Sequence, residues 1–194
     1  SYLAGMVAGG MSRTGTIGFV GGIELPPIKL AEDAWVAGAR RMNPAIVARS
    51  TYLNTFDDVA AGREAALALL QAGADMFHHN ADQAALGTFQ AVKESRGAYI
   101  FGANLDQTSL APERVLGSAV IDLPRAFLAV AREVKAGGFV PKVESFGLQS
   151  GVIRYEPNPA LLSTLPAPLQ AAVNAARDSI IAADTVAAAA RLTP

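Results

Sequence analysis

No cysteine occurs among the 194 residues, and the chain has only two histidines and one tryptophan. The missing thiols exclude disulfides, thiolate zinc sites and cysteine nucleophiles, while leaving the cellular compartment open. Charge is scarce as well, at 17%, and nearly balanced, with 16 Lys and Arg against 17 Asp and Glu. A chain this close to neutral, with no cluster of one sign, lacks the field that a nucleic-acid or membrane-surface binder uses. No run of about 18 apolar residues occurs, so the sequence offers no membrane-spanning helix. Aromatics are few, at 7%, whereas hydrophobic residues reach 51% and alanine is abundant. Small apolar side chains of this kind favour helices packed closely on a sheet. The length suits one domain, or one and a part, and suffices to bury a core. Ser1 opens directly into the stretch Tyr2 to Ala8, which reads as amphipathic, with no basic leader before it. That start predicts a piece of a larger parent protein.

Four short apolar runs recur in the first half: Thr16 to Val20, Ala45 to Ser50, Asp75 to His78 and Ala98 to Phe101. Helical patterns separate them. Ile28 to Met42 follows Pro26-Pro27 and stops at Asn43-Pro44; Val59 to Ala72 follows the N-cap pair Asp57-Asp58 and ends at Gly73; Ala84 to Glu94 runs into Arg96-Gly97. A strand–helix repeat of about 30 residues is the size of a βαβ unit, so the pattern predicts an α/β fold, a parallel sheet with helices on both faces. Further on, Val115 to Ile121 reads as a strand and Leu123 to Lys135 as a helix closed by Gly137-Gly138. Lys142 to Leu148 and Val152 to Tyr155 read as two short strands, and Leu169 to Ile181 as a last helix, with a helical or frayed tail to Pro194.

Ligands of an open parallel sheet bind outside the carboxyl ends of its strands. Four segments fall there: Gly21 to Pro26 with Glu24, Tyr52 to Asp58 with Asn54 and Phe56, His78 to Gln83 with Asn80 and Asp82, and Ala103 to Gln107 with Asn104 and Asp106. Polar side chains around one aromatic describe a pocket for a planar, hydrogen-bonding ligand. Phe56 reads either as a stacking face or as loop packing, and Asn104 and Asp106 either as ligand contacts or as Asx-turn residues. Asp57 and Asp58 read as helix caps before ligand contacts. His78 and His79 are strand neighbours and point to opposite faces, one to the rim and one to a helix. They make a poor metal site with Asp82, since adjacent histidines rarely chelate one ion and no third strong ligand is evident. No G-x-S-x-G elbow, no dinucleotide fingerprint and no P-loop lysine is present, so no catalytic set assembles and no cofactor is called for. Trp35, inside an apolar helix, reads as core.

On these same loops the sequence resembles the basic membrane protein family of ABC-transporter substrate-binding proteins, the type that binds purine nucleosides. The matching stretches are Tyr2-Leu3-Ala4-Gly5, Met11-Ser12-Arg13-Thr14-Gly15, Ile17 to Ile23, Phe56-Asp57-Asp58, Glu64-Ala65-Ala66, Gly73-Ala74-Asp75 and Asp106-Gln107 before Leu110-Ala111-Pro112. The resemblance implies a type I periplasmic binding protein, two α/β lobes with a ligand cleft between them. Residues 1–110 then form the second lobe. Residues 111–194 are crossover segments belonging to an incomplete first lobe, with a C-terminal helix, and their apolar faces call for a homodimer partner or a second fragment to cover them. It further implies a periplasmic or cell-surface location through a lipoprotein-anchored parent, a permease partner and no catalysis. Phe56 matches the aromatic that stacks on the purine. Asn104 stands where the family often has an aspartate for ribose hydroxyls, Asn80 to Gln83 where a loop touches the ligand, and Ile121 where a lysine is expected. An amide loses the charge-assisted grip on hydroxyls, about twice as strong as a neutral bond, which shifts the expectation towards a free base read by His79, Asn80 and Asp82. Two other readings stand beside this one: a ligand-sensing domain of a regulator with the same fold, and a small nucleobase- or nucleoside-acting enzyme using a histidine of the 78–79 pair as base.

Overall fold

A computed structural model describes residues 1–190. The chain runs α1 (Tyr2–Met11), β1 (Thr16–Gly21), α2 (Pro26–Met42), β2 (Val47–Tyr52), α3 (Val59–Gln71), β3 (Met76–Asn80), α4 (Ala85–Glu94), β4 (Tyr99–Asn104), β5 (Val115–Ile121), α5 (Leu123–Lys135), β6 (Ile153–Pro157) and α6 (Ala167–Ala190). One six-stranded sheet forms in the order β2-β1-β3-β4-β5-β6. β1 to β5 are mutually parallel and β6 is antiparallel to β5.

Side chains alternate along each strand, so each inner strand feeds two cores. Ile17, Phe19, Met76, Phe101 and Leu116 pack against α1, α2 and α6, around Trp35. Val20, Phe77, Ile100 and Val115 pack against α3 and α4. The expected helices on both faces are therefore present. Local signals set the helix ends: Asp58 Oδ1 accepts from the N–H of Ala61 at 2.9 Å, and Gly73 leaves α3 with φ +92°. At the edge opposite the strand ends, Asp75 accepts from Ser12 Oγ (2.7 Å) and from the N–H groups of Arg13 (2.7 Å) and Thr14 (3.2 Å), fixing the entry of α1 into β1.

Several expectations change. The opening stretch is not amphipathic in place: Leu3 to Gly9 are all buried, because α1 lies between α2 and α6 and is apolar all round. No strand forms over Lys142 to Leu148; these residues carry no regular structure until a 3₁₀ turn at Leu148–Ser150. A strand needs a partner for its N–H and C=O groups, and this segment pairs with none among the described residues. The last helix begins at Ala167, slightly earlier than expected, and continues into the expected tail as far as Ala190; residues 191–194 of that tail lie outside the described residues.

The expected division at residue 110 is not a break in the sheet. β5 takes its ladder from β4 and β6 takes its own from β5, so residues 115–121 and 153–157 belong to the same sheet as residues 16–104. Backbone pairing holds them there. The part that leaves the sheet is narrower, α5 and the segment after it. No residue of α5 is buried; Phe127 is 72% and Val143 97% exposed. Asp122 and Arg154 mark where the chain departs and returns, joined by an ion pair of 2.9 Å. Among the described residues no helix is long and apolar enough to cross a membrane.

Candidate functional site

The five parallel strands end at one edge, and the turns that follow them surround a recess of about 430 Å³, within the range of small-molecule sites. Leu25, Pro27, Ile28 and Ala31 at the start of α2 form one apolar wall, and Ile121 and Ile153 form the other. Phe56 lines it between them. A Cβ on Gly22 would run into the Phe56 ring, so glycine there lets the ring lie over the end of β1. The Phe56 carbonyl accepts from the N–H of Ala84 at 2.8 Å. The ring packs on the core edge, which is the loop-packing reading, and it also lines the recess.

Ser1, His78, Asn80, Asp82 and Asn104 supply the polar part of the lining. The side chains of Asn80, Asp82 and Asn104 make no protein hydrogen bond among the described residues, which leaves their donors and acceptors to solvent or a ligand. Asp82 (φ +45°), Asn104 (φ +68°) and Asn54 (φ +58°) are the non-glycine residues with positive φ among the described residues. Such backbone costs about 1–3 kcal/mol each and tends to cluster at binding and active sites. Here all three stand at strand ends, and two face the recess. The lining has no lysine or arginine, and Asp82 is its one carboxylate.

The histidines occupy opposite faces as expected, with their roles exchanged. His78 lines the recess. Its Nδ1–H donates to the Phe101 carbonyl (3.2 Å), so its Nε2 accepts from Ser1 Oγ (3.0 Å), and the ring sits against Trp35, centroids 5.1 Å apart. Burial, then the Ser1 amino group and His79, hold its pKa well below the ordinary value. His79, expected to read the ligand's edge, does not line the recess. It points towards α4 and packs edge-on against Phe89 at 5.2 Å, and burial lowers its pKa to about 4. One ring is thus buried against Trp35 and the other lies on the far side of the sheet against Phe89.

Three further expected contacts lie off the recess. Asp106 turns back on its own loop, accepting from Thr108 N–H (3.0 Å) and Thr108 Oγ1 (2.7 Å), the Asx-turn reading. Glu24 is exposed in the turn before α2, and Asn54 is exposed with its N–H donating to the Gly22 carbonyl at 3.0 Å. Neither is part of the lining. Sequence reasoning missed the apolar wall of α2, although Pro26-Pro27 marks where that helix starts, and it placed Gln107 on the rim without its hydrogen bonds to His79 and Ala103. Among the described residues no group of His, Asp and Glu is arranged to hold a metal ion.

A sequence profile of the family described as ABC transporter substrate-binding protein, PnrA-like, matches residues 1–182. Basic membrane protein A of Borreliella burgdorferi is 34% identical over 166 residues, covering 84% of this chain and 49% of that protein. The chain thus spans about half the length of such relatives. A solute-binding protein of an ABC transporter system from Conexibacter woesei superposes with TM-score 0.75 at 26% identity, over 94% of this chain and 60% of that one. A transcriptional activator of the comK gene from Bacillus halodurans has the same fold, with TM-score 0.82 at 24% identity, over 93% and 61%.

Proposed function

This chain belongs to the family of PnrA-like ABC transporter substrate-binding proteins, and on that premise we propose that its recess is one wall of a cleft for a purine base or nucleoside. The observation that carries this is the recess itself: the half-buried Phe56 ring in its lining beside three polar side chains with no protein hydrogen bond, Asn80, Asp82 and Asn104. A planar heterocycle stacks on the ring, and the amides and the carboxylate meet its ring donors and acceptors. With no lysine or arginine in the lining, the site suits a neutral ligand rather than a phosphorylated one. Asn104, an amide on the side expected to hold a sugar, favours the free base.

The parent protein delivers this ligand to an ABC permease from outside the cytoplasmic membrane, and the opposite wall of the cleft comes from chain that covers α5. The exposed apolar face of α5, with Leu123, Phe127 and Leu128, supports that reading, since patches of this kind mark an interface. Titration calorimetry with adenine and adenosine tests the ligand assignment. Adenine binding more tightly than adenosine, both weaker than for a complete two-walled cleft, is the expected outcome. Tighter adenosine contradicts the preference for the base, and no heat from either contradicts the purine assignment.

A further inference from the structure

The turn that carries Asn104 is held from beneath by a side chain with no other role in the cleft. Leu105 N–H donates to the Ala103 carbonyl at 2.8 Å, and Asn104 between them has φ +68°. Asn104 is thus the centre of a three-residue γ-turn of the rare, positive-φ kind. A strained turn persists only where its surroundings over-determine it. Here that support converges on Gln107. Its Oε1 accepts from Ala103 N–H at 2.8 Å and from His79 Nε2–H at 2.9 Å. Its own N–H donates to Ser118 Oγ at 3.1 Å. One residue therefore ties the turn to β3 through His79 and to β5 through Ser118.

The neighbourhood is shaped for that side chain. A Cβ on Gly102 would stand 3.0 Å from both Gln107 Cβ and Oε1, closer than ordinary packing allows. The Gln107 oxygen can only accept, so His79 carries its proton on Nε2. His79 Nδ1 is then buried with no hydrogen-bond partner, a desolvation cost that the ring bears while keeping its bond to Gln107. Phe89 of α4 covers the ring's other side. His78 on its own strand lies with its ring centroid 6.2 Å away, and Asp106 accepts from Ser118 Oγ at 3.3 Å.

We propose that Gln107 and His79 are positioning residues of the cleft, whose hydrogen bond fixes the turn so that Asn104 faces the ligand. Neither touches the ligand. This inference rests on the reading of the recess as a ligand cleft, so its test separates the two. Gln107→Met removes the shared acceptor, whereas Gln107→Glu keeps it and the side chain's shape. In Gln107→Met, hydrogen exchange at the Ala103 amide is expected to quicken at least tenfold, and adenine affinity to fall roughly tenfold, the size of one lost hydrogen bond. Both recover in Gln107→Glu. There the new carboxylate also raises the His79 pKa, which ¹⁵N imidazole spectra report as a shift of the titration towards neutral pH.

In an Asn104→Ala background, Gln107→Met should cost no further adenine affinity, because the effect passes through Asn104. An equal loss in both backgrounds, or an unchanged Ala103 exchange rate in Gln107→Met, overturns the proposal. If adenine binds to neither protein, the cleft reading fails by itself. Ala103 exchange and the His79 tautomer then still decide whether Gln107 holds the turn.

Discussion

At Glu32, a carboxylate largely removed from water accepts hydrogen bonds from Ser50 Oγ, from Tyr52 OH at 2.5 Å and from Lys29 Nζ at 3.0 Å. Burial opposes its charge, but these donors outweigh burial and the net effect is a pKa below the ordinary value. A depressed carboxylate pKa contributes stability above the unfolded pKa, and that contribution is lost as the pH falls through the lower folded value. Glu32→Gln is therefore expected to cost about 1–3 kcal/mol at neutral pH and to flatten the acid limb of the stability curve. Denaturant unfolding from neutral pH down to about pH 3 checks this, and an acid limb like that of the parent protein contradicts it. The Lys29–Glu32 spacing is legible in the sequence; the partners on β2 are not, because they depend on how α2 crosses the sheet. The same limit decided the histidines. Alternation shows that His78 and His79 part company, but only the packing of Trp35 and Phe89 shows which of them meets the recess.

Elements whose partners lie close in sequence were the most readable. The βαβ spacing and the cap at Asp58 predict β1 to β5, α2 to α5 and their connections to within a few residues. Elements whose shape depends on distant contacts were not. α1 is buried all round because Gly5, Gly9 and Gly38 let it approach α2, where a Cβ on Gly5 would collide with the Trp35 carbonyl. Gly5→Ala is expected to destabilise the fold by about 1–3 kcal/mol through overpacking, read as a lower thermal midpoint. α5 gives the opposite expectation. Phe127→Asp removes a ring that is 72% exposed, and stability should stay within about 0.5 kcal/mol of the parent protein. A large loss there would mean that α5 packs against this chain after all.

On the scale of the whole molecule, the sheet, its two helical layers and the rim loops form a self-consistent body, from which only α5 and the segment after it stand apart. The chain spans about half of the relatives it matches, and the recess is lined by apolar groups of α2 with Ile121 and Ile153, and by Phe56, Asn80, Asp82 and Asn104. On the proposed reading, a longer parent protein covers α5 as it closes the cleft. Amide exchange across Leu123–Lys135 should then be slower in such a parent than in this chain, and equal rates contradict that cover. The rim was the part of the site most legible in advance: Phe56, Asn80, Asp82 and Asn104 line the recess, because strand ends fix where loops go. What lay beneath the rim, at Gln107 and Gly102, was hidden by its dependence on three strands at once.

The central claim is that this recess holds a purine against Phe56. Saturation-transfer NMR with adenine tests it most directly, since the method detects weak binding and reports which ligand protons touch the protein. Transfer to the ring protons of adenine in the unsubstituted protein, with affinity falling about 5- to 100-fold in Phe56→Ala, as expected for loss of one base–aromatic stack, is the predicted result. No transfer, or transfer of equal strength in a folded Phe56→Ala protein, would contradict it.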